Sequence, residues 1–368
     1  MDGFVRDRKI AGGLVAIAKD GQVAYLKSFG QMDREAGRPV QADTIWRLYS
    51  MTKAIVTAAA LILVDEGRIS LDDAVSKHVP ELAEVKVLTA EGPRTPARPP
   101  TVKDLMLHTA GYGYGGNPPA VQKAYREKKP LEAKDLDDMA ERLKEVPLAF
   151  DPGTDWLYSL SIDVLGLVVQ RASKTPLDRF LQERIFGPLD MRDAGFTVPP
   201  EKLDRFAANY QRAGGDLKLI DAPKESKYAR PVSFHSGGGG LVGTARDYLR
   251  FLLMIEGGGS LHGTRILQPE TVKLMTTNQL PPKAFPIYFG KEIRHATGFG
   301  LGFSVRTADS AWDPQARVGE YGWGGAASTH YWVSPKDRLV VVTLEQTMPY
   351  TFDTEFAVKG LIYDALAK

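Results

Sequence analysis

Hydrophobic and polar positions alternate in several segments near both ends of the chain, and this two-residue period predicts β-strands there. The dipeptide Asp20-Gly21 separates the first two segments and is a strong signal for a β-hairpin. The alternating segments are Gly13–Lys19, Gln22–Phe29, Phe299–Arg306, Ser328–Ser334 and Arg338–Leu344. We therefore expect a sheet whose strands come from both ends of the sequence.

The middle of the chain shows helical patterns instead. The predicted helices are Thr52–Glu66, Thr101–His108, Ala133–Glu145, Ser161–Ser173, Leu177–Ile185, Thr244–Glu256 and, at the far end, Thr354–Ala367. Thr101 and Asp104 have the spacing of a capping box, and Thr244 is placed to cap the helix that follows it. The stretches Gly92–Pro100 and Asp216–Pro231 are predicted to be long loops. Strands at both ends with helices between them indicate a discontinuous α/β domain with a helical insertion.

Length and composition are those of a soluble globular protein with about two structural units. Of the 368 residues, 43% are hydrophobic and 25% are charged, which is ordinary for that class. The formal net charge is +2 and no basic stripe stands out, so a nucleic-acid partner is not expected. The longest apolar run, Ala54–Val64, is about half as long as a membrane span and predicts a buried helix rather than membrane insertion.

The chain contains no cysteine, which excludes disulfides, a thiolate nucleophile and cysteine-ligated metals. Its six histidines show no ligand spacing on a helix, so neither a metal site nor another cofactor is expected. The first residues, Met1–Lys9, lack the apolar stretch of a signal peptide. We therefore expect a cytoplasmic protein, or a periplasmic one if a leader has been removed. The sequence does not indicate the oligomeric state.

A candidate nucleophile lies at the start of the first predicted helix. Ser50 and Lys53 form the chain's only S-x-x-K sequence, in front of an apolar, alanine-rich run. Residues three apart share a helix face, so the Lys53 amine can reach the Ser50 hydroxyl. The helix dipole favours an alkoxide at Ser50, and partial burial favours a neutral amine that accepts its proton. In the alternative interpretation, Ser50 is a helix cap and Lys53 is a solvated lysine, and the motif alone does not decide between the two.

A candidate proton carrier lies about a hundred residues further on. The turn Pro152-Gly153 leads into an aromatic-rich segment that places Tyr158 just before the predicted helix Ser161–Ser173. A tyrosine at that point can pass a proton between the serine and the leaving group. Taken alone, however, Tyr158 is more simply an ordinary core tyrosine.

A candidate oxyanion site precedes the last pair of predicted strands. Adjacent glycines in Trp323-Gly324-Gly325 allow another segment to come close to the backbone. The Ala326 N–H group could then join the Ser50 N–H group in stabilising an oxyanion. Taken alone, this segment is more simply a strand-entry turn with a packing tryptophan.

Together, these segments resemble motifs of the class C serine β-lactamases, the D-Ala-D-Ala carboxypeptidases and, most closely, the family VIII carboxylesterases. The matching motifs are Ser50-Met51-Thr52-Lys53, Tyr158-Ser159-Leu160 and Trp323-Gly324-Gly325. The resemblance covers nearly the whole chain, and three motifs in the right order and spacing are far more specific than any one of them.

The resemblance implies a β-lactamase/transpeptidase-like fold, which is α/β plus all-α. In that fold an antiparallel sheet flanked by helices forms a discontinuous sandwich domain, expected here in residues 1–70 and 232–368. A mainly helical domain, expected in residues 71–231, lies beside it. The active site is expected in the crevice between the two domains.

Two departures from class C β-lactamases bear on the substrate. Leu160 stands where those enzymes usually carry an asparagine that helps hold the amide of a β-lactam. Trp323 stands where they carry a lysine that helps bind its carboxylate. Leucine and tryptophan instead suit an apolar acyl or alcohol group, so the resemblance implies an ester substrate. The expected substrate-contacting residues are Tyr112, Phe150, Trp156, Leu160, Trp323, Gly324 and Gly325.

The resulting hypothesis is a serine carboxylesterase that acts on small-molecule esters with short- to medium-chain acyl groups. Ser50 forms the acyl-enzyme, Lys53 and Tyr158 transfer the protons, and the Ser50 and Ala326 N–H groups bind the oxyanion. The alternatives are a class C-like β-lactamase or D-amino-acid peptidase, an acyltransferase, and a penicillin-recognising protein without turnover. The G-x-S-x-G sequence of the other common esterase fold is absent.

Overall fold

The structure is a computed structural model that describes residues 1–114 and 119–367. Strands lie mostly near the two ends of the chain, and helices fill much of the middle. The strands are β1 (Gly12–Lys19), β2 (Gln22–Asp33), β3 (Arg38–Pro39), β4 (Trp46–Arg47), β5 (Val87–Thr89), β6 (Gly92–Arg94), β7 (Asn209–Ala213), β8 (Asp216–Asp221), β9 (Val242–Gly243), β10 (Ser260–Leu261), β11 (Thr264–Arg265), β12 (Tyr288–Phe289), β13 (Glu292–Ile293), β14 (Thr297–Phe299), β15 (Ser304–Arg306), β16 (Tyr321–Gly325), β17 (Thr329–Ser334), β18 (Leu339–Glu345) and β19 (Thr347–Met348). The helices are α1 (Asp2–Arg6), α2 (Thr52–Asp65), α3 (Val75–His78), α4 (Val102–Leu107), α5 (Pro119–Lys128), α6 (Leu136–Leu143), α7 (Ser161–Ser173), α8 (Leu177–Leu181), α9 (Ala245–Glu256), α10 (Pro269–Thr276) and α11 (Asp353–Leu366).

Eight of the described strands form one antiparallel sheet in the order β14-β15-β16-β17-β18-β1-β2-β3. The two ends of the chain meet inside this sheet, because β1 pairs with β18. The predicted hairpin joins β1 to β2. Its turn residues Asp20 and Gly21 have φ angles of 53° and 77°, the left-handed conformation that a two-residue hairpin loop requires.

Helices cover both faces of the sheet. Alternate residues of β1 point to opposite faces, so Leu14 enters the main core and Val15 enters a smaller one. On the first face, α9 packs against β1 and β18. On the second face, Val358 and Tyr363 of α11 pack with Val15 and Trp332. The antiparallel sheet flanked by helices therefore matches the predicted architecture.

The helices from the middle of the chain pack around α7, which contacts α2, α3, α4, α6 and α8. Helix α2 is buried from Thr52 to Leu63, because it packs against α7 and α8 and its residues belong to the main core. Its apolar sequence thus reflects burial in protein, as predicted. Among residues 1–114 and 119–367, no helix is long and apolar enough to cross a lipid bilayer.

Both predicted helix caps form, and several predicted boundaries are wrong. Thr101 and Thr244 each close a capping box with the aspartate three residues later.

Residues 299–306 are a tight hairpin rather than one strand, since Gly302 reverses the chain at φ 90°. The predicted loop from Asp216 begins with β8, which pairs with β7, and the one from Gly92 begins with β6. The helix predicted to reach 185 ends at 181 and continues as a π-helical turn.

A buried arginine ties the segment before α2 to the β7–β8 strand pair. Arg47 in β4 is fully buried and donates to the Asp221 carboxylate at 2.8 Å and the Ser226 hydroxyl at 3.2 Å. It also donates to the Ala207 carbonyl and stacks 4.1 Å above the Phe206 ring. Because these partners all belong to one segment, Arg47 fixes the chain three residues before Ser50.

Replacing Arg47 with methionine should lower the free energy of unfolding by about 3 kcal/mol or more, because Asp221 then loses its buried partner. The matched control is Arg38→Met, which breaks an exposed ion pair with Asp204 and should cost about 1 kcal/mol or less. Urea denaturation followed by tryptophan fluorescence measures both losses. Equal losses in the two variants would contradict this account of Arg47.

Candidate active site

Ser50 lies in a 3₁₀ turn, Tyr49–Met51, that runs directly into α2. The turn is held at both ends. The Tyr248 hydroxyl donates to the Met51 carbonyl at 2.8 Å, and Asn209 Nδ2 donates to the Tyr49 hydroxyl at 3.0 Å. Tyr49 has a φ angle of +45°, which is unfavourable for a residue with a side chain. These contacts therefore maintain a strained turn that presents Ser50 at the helix N-terminus.

Lys53 lies in the first turn of α2 and is 2% exposed. Its Nζ atom donates to Ser50 Oγ at 3.2 Å and to the Gly238 carbonyl at 2.5 Å. The amine also lies 4.7 Å from the ring centroid of Tyr158 and 5.4 Å from that of Tyr114. The alternative of a solvated lysine is therefore wrong, because the amine is enclosed and faces the serine hydroxyl.

A buried carboxylate, that of Asp163, positions the glycine-rich loop whose carbonyl group accepts a hydrogen bond from Lys53. Asp163, in the first turn of α7, is 1% exposed and accepts hydrogen bonds from the Gly238 N–H at 3.0 Å and the Ser236 hydroxyl at 2.5 Å. Burial raises the pKa of Asp163, and the nearby charge of Lys53 opposes that rise. A Cβ atom on Gly238 would lie 2.2 Å from an Asp163 oxygen, so the contact needs glycine.

Tyr158 receives a hydrogen bond from the tryptophan of the third motif. The Trp323 Nε1–H group donates to the Tyr158 hydroxyl oxygen at 3.1 Å. The His108 ring packs against Tyr158 with centroids 4.8 Å apart, and its Nδ1 atom is 3.1 Å from Ser159 Oγ. Burial lowers the pKa of His108 well below its usual value, so this imidazole is neutral and has a packing role.

Strand β16 brings the third motif against the turn that carries Ser50. A Cβ atom on Gly325 would lie 2.4 Å from the Leu48 carbonyl oxygen, an approach that only glycine permits. The next residue, Ala326, lines the same two cavities as Ser50. The structure thus brings together the two residues expected to form the oxyanion site, and the role of their N–H groups stays a prediction.

Two cavities meet at the nucleophile, and Ser50, Tyr158 and Ala326 line both of them. We call them the tryptophan-side cavity, of about 460 Å³, and the glycine-loop cavity, of about 580 Å³. The first is further lined by Phe289, Arg294, Trp323, Gly324, Gly325 and Phe352. The second is further lined by Tyr114, Leu131, Phe196, Val232, Phe234 and Gly239. The nucleophile therefore has separate space on either side.

Four of the expected substrate contacts do not line either cavity. Tyr112, Trp156 and Leu160 are fully buried, and Phe150 is half-buried. Trp156 stacks behind Tyr158 with ring centroids 6.2 Å apart, and Leu160 lies at the start of α7. Tyr112, Trp156 and Leu160 lie in the core because apolar side chains next to a motif pack behind it, whereas Phe150 is only partly covered.

Most of the other cavity-lining residues escaped the sequence analysis, and three of them show why. Tyr114 lies two residues after Tyr112 and takes the place at the cleft that was predicted for it. Asp163 had a signal, since it is the acidic residue of an otherwise apolar helix. Phe289 comes from the β12–β13 hairpin, and its local sequence gives no sign that this hairpin reaches the cleft.

The chain matches the family model described as Beta-lactamase over residues 1–359. It is 36% identical to Protein Rv1367c of Mycobacterium tuberculosis, over 95% of this chain and 90% of that protein. It is 33% identical to Esterase EstB of Burkholderia gladioli, over 94% of this chain and 88% of that protein. Among solved structures, it matches "EstCE1, a hydrolase with promiscuous acyltransferase activity" with a TM-score of 0.83 and 27% identity, over 98% and 96% of the two chains.

These likenesses confirm the predicted fold and the predicted enzyme class. The family model spans nearly the whole chain, as do the relative EstB and the solved hydrolase EstCE1. The chain therefore belongs to the β-lactamase family, as a serine hydrolase of the family VIII esterase type.

Proposed function

We propose that the protein is a carboxylesterase that hydrolyses short- to medium-chain acyl esters through an acyl-enzyme on Ser50. The observation that carries the proposal is the 3.2 Å contact between the buried Lys53 amine and the Ser50 hydroxyl, at the point where two cavities meet. A serine next to an enclosed amine is an activated nucleophile. Two cavities on either side of it suit a substrate with an acyl group and an alcohol group.

In the proposed reaction, Ser50 attacks the ester carbonyl while its proton passes to Lys53 and Tyr158, which act as a coupled pair. The backbone N–H groups of Ser50 and Ala326 stabilise the tetrahedral oxyanion. Tyr158 then gives a proton to the departing alcohol. Water then attacks the acyl carbonyl while the same pair takes its proton. The bond to Ser50 Oγ breaks, the pair returns the proton to that oxygen, and the carboxylic acid leaves.

Trp323 supports the choice of an ester over a β-lactam. Its indole N–H donates to the Tyr158 oxygen at 3.1 Å, so Trp323 orients the Tyr158 hydroxyl in the cleft. This donor is uncharged, whereas β-lactamases of the family carry a lysine at this position that helps bind the carboxylate of a β-lactam. Trp323 offers no such charge. The glycine-loop cavity adds apolar side chains, among them Leu131, Val232 and Phe234, that suit an alkyl group.

Replacing Ser50 with alanine should lower kcat/KM for p-nitrophenyl butyrate by at least about a hundredfold, because the covalent route is lost. The variant should also lose labelling by a fluorophosphonate, read by intact-mass spectrometry. Ser76→Ala, which changes a serine in α3 that lines neither cavity, is the matched control and should keep both properties. A labelled S50A protein would contradict the mechanism, and faster turnover of nitrocefin than of the butyrate ester would favour the β-lactamase alternative.

Replacing Trp323 with phenylalanine keeps the aromatic wall and removes the donor to Tyr158. We expect kcat for p-nitrophenyl butyrate to fall about tenfold, because the Tyr158 hydroxyl loses the hydrogen bond that orients it in the cleft. Trp46→Phe is a matched control, since the Trp46 indole nitrogen is buried without a partner in the described residues. A kcat in W323F equal to that of the wild type would remove this hydrogen bond from the mechanism.

A second candidate function, acyl transfer, is favoured by the separation of the two cavities. An acyl group held in one cavity leaves the other free when the first alcohol departs, so an acceptor alcohol can enter beside the acyl-enzyme. The solved hydrolase EstCE1 is described as having promiscuous acyltransferase activity. Transfer and hydrolysis would share the Ser50 intermediate and differ in whether an alcohol or water attacks it.

Adding 1-butanol to a reaction with vinyl butyrate should therefore yield butyl butyrate beside butyric acid, in a ratio that rises with the butanol concentration. Gas chromatography measures both products. Ser50→Ala should form neither product above background. Butyric acid as the sole product at every butanol concentration would reject acyl transfer and leave hydrolysis in place.

A further inference from the structure

Arg294 faces the tryptophan-side cavity and has no part in the mechanism above. It lies between β13 and β14, is 9% exposed, and lines the same cavity as Ser50. Its Nε atom donates to the Glu292 carboxylate at 3.1 Å. Within the described residues, its two terminal nitrogens have no hydrogen-bond partner in the protein. These nitrogens are not among the buried atoms without a partner, so the guanidinium presents free donors to the open cavity beside the nucleophile.

Four aromatic rings surround this guanidinium. The distances from its central carbon to the ring centroids are 4.2 Å for Phe289, 4.9 Å for Trp312, 5.0 Å for Phe352 and 5.7 Å for Trp323. The ring faces stabilise the cation without satisfying its N–H groups. A cationic ligand would find this aromatic enclosure already occupied. An anionic ligand would instead meet the two terminal nitrogens of Arg294 that its ion pair with Glu292 leaves free.

The acidic groups deeper in the cavity are paired with another cation. The Lys359 amine donates to Asp313 at 2.8 Å and to Glu320 at 2.7 Å, and it lies 3.4 Å from Glu355. None of these three carboxylates forms an ion pair with Arg294 in the described structure. They therefore leave its terminal nitrogens available to a ligand.

We propose that Arg294 binds a carboxylate carried by the part of the ester that occupies the tryptophan-side cavity. A guanidinium and a carboxylate are both planar and can form two parallel N–H···O bonds, which neutral esters cannot match. The preferred substrates are then half-esters of dicarboxylic acids, or hydroxy acids that are acylated on the hydroxyl group and keep a free carboxylate. The inference rests on the proposed function, because the reacting carbonyl of the same molecule is the one that Ser50 attacks.

Two pairs of esters test the proposal and tell the two sources of the carboxylate apart. Monomethyl adipate and dimethyl adipate place the charge, or its methylated form, on the acyl side. 4-Acetoxybutyrate and its methyl ester place it on the alcohol side. In at least one pair, the anionic ester should have a kcat/KM about tenfold above that of its neutral partner. The pair that shows the preference identifies which side of the substrate enters this cavity.

Arg294→Gln should reduce that anionic-to-neutral ratio by about tenfold, since it removes the charge and the paired donors. Because the ratio compares two substrates of the same variant, a lower fraction of folded protein changes both kcat/KM values equally and leaves the ratio unchanged. Arg317→Gln is the matched control: Arg317 also stacks on a ring, Tyr363 at 4.5 Å, and faces an acid, Asp337 at 3.8 Å, but it does not line the cavity. Its ratio should equal that of the wild type.

A ratio near one in both pairs, or an equal ratio in wild type and R294Q, would overturn the carboxylate site and leave the esterase proposal intact. Failure of Ser50-dependent hydrolysis for every ester would instead overturn the proposed function. Calorimetry gives a readout that needs neither turnover nor a stable variant. Adipate should bind the wild-type protein, whereas the uncharged adipamide should bind at least about tenfold more weakly, and equal affinities would overturn the proposal.

Discussion

The architecture of the site depends on one buried amine. Lys53 cannot be left unpaired in the core, because an amine without hydrogen bonds in an apolar environment is costly. Its two acceptors are the Ser50 hydroxyl and the Gly238 carbonyl, which come from different parts of the fold. Satisfying the amine therefore fixes the distance between the nucleophile helix and the glycine-rich loop.

Each of the two acceptors of Lys53 is in turn positioned by other residues. Gly238 is positioned by Asp163 of α7, so the helical layer takes part in the placement of Lys53. Ser50 is positioned by the strained turn after Arg47, and Gly325 of β16 packs on that turn from the sheet side. The nucleophile thus lies where the two layers of the fold are both required, and neither layer would form the site alone.

Local features of the fold could be predicted from the sequence because their causes are local. The Asp20-Gly21 hairpin and the cap at Thr101 depend on a few adjacent residues. The contact between Lys53 and Ser50 follows from helical spacing within one turn. These predictions needed no knowledge of the rest of the chain.

The cavity walls could not be predicted in the same way, because they depend on which segments pack together. Tyr112 and Tyr114 are near neighbours with similar local sequence, yet one is fully buried and the other lines the cleft. Arg294 reaches the cavity only because a remote hairpin folds over Trp323. Even the second acceptor of Lys53 is 185 residues away along the chain.

The pairing of β1 with β18 has a consequence for biosynthesis. A ribosome releases β1 and the helix that bears the nucleophile long before it has made β16 or β18. Until then, β1 has an open edge that can pair with other chains, and the N–H group of Ala326 does not yet exist. Closing such a long loop is slow compared with forming local structure. The growing polypeptide therefore carries an edge open to aggregation from the emergence of β1 until its final strands emerge, which makes chaperone protection most valuable throughout that interval.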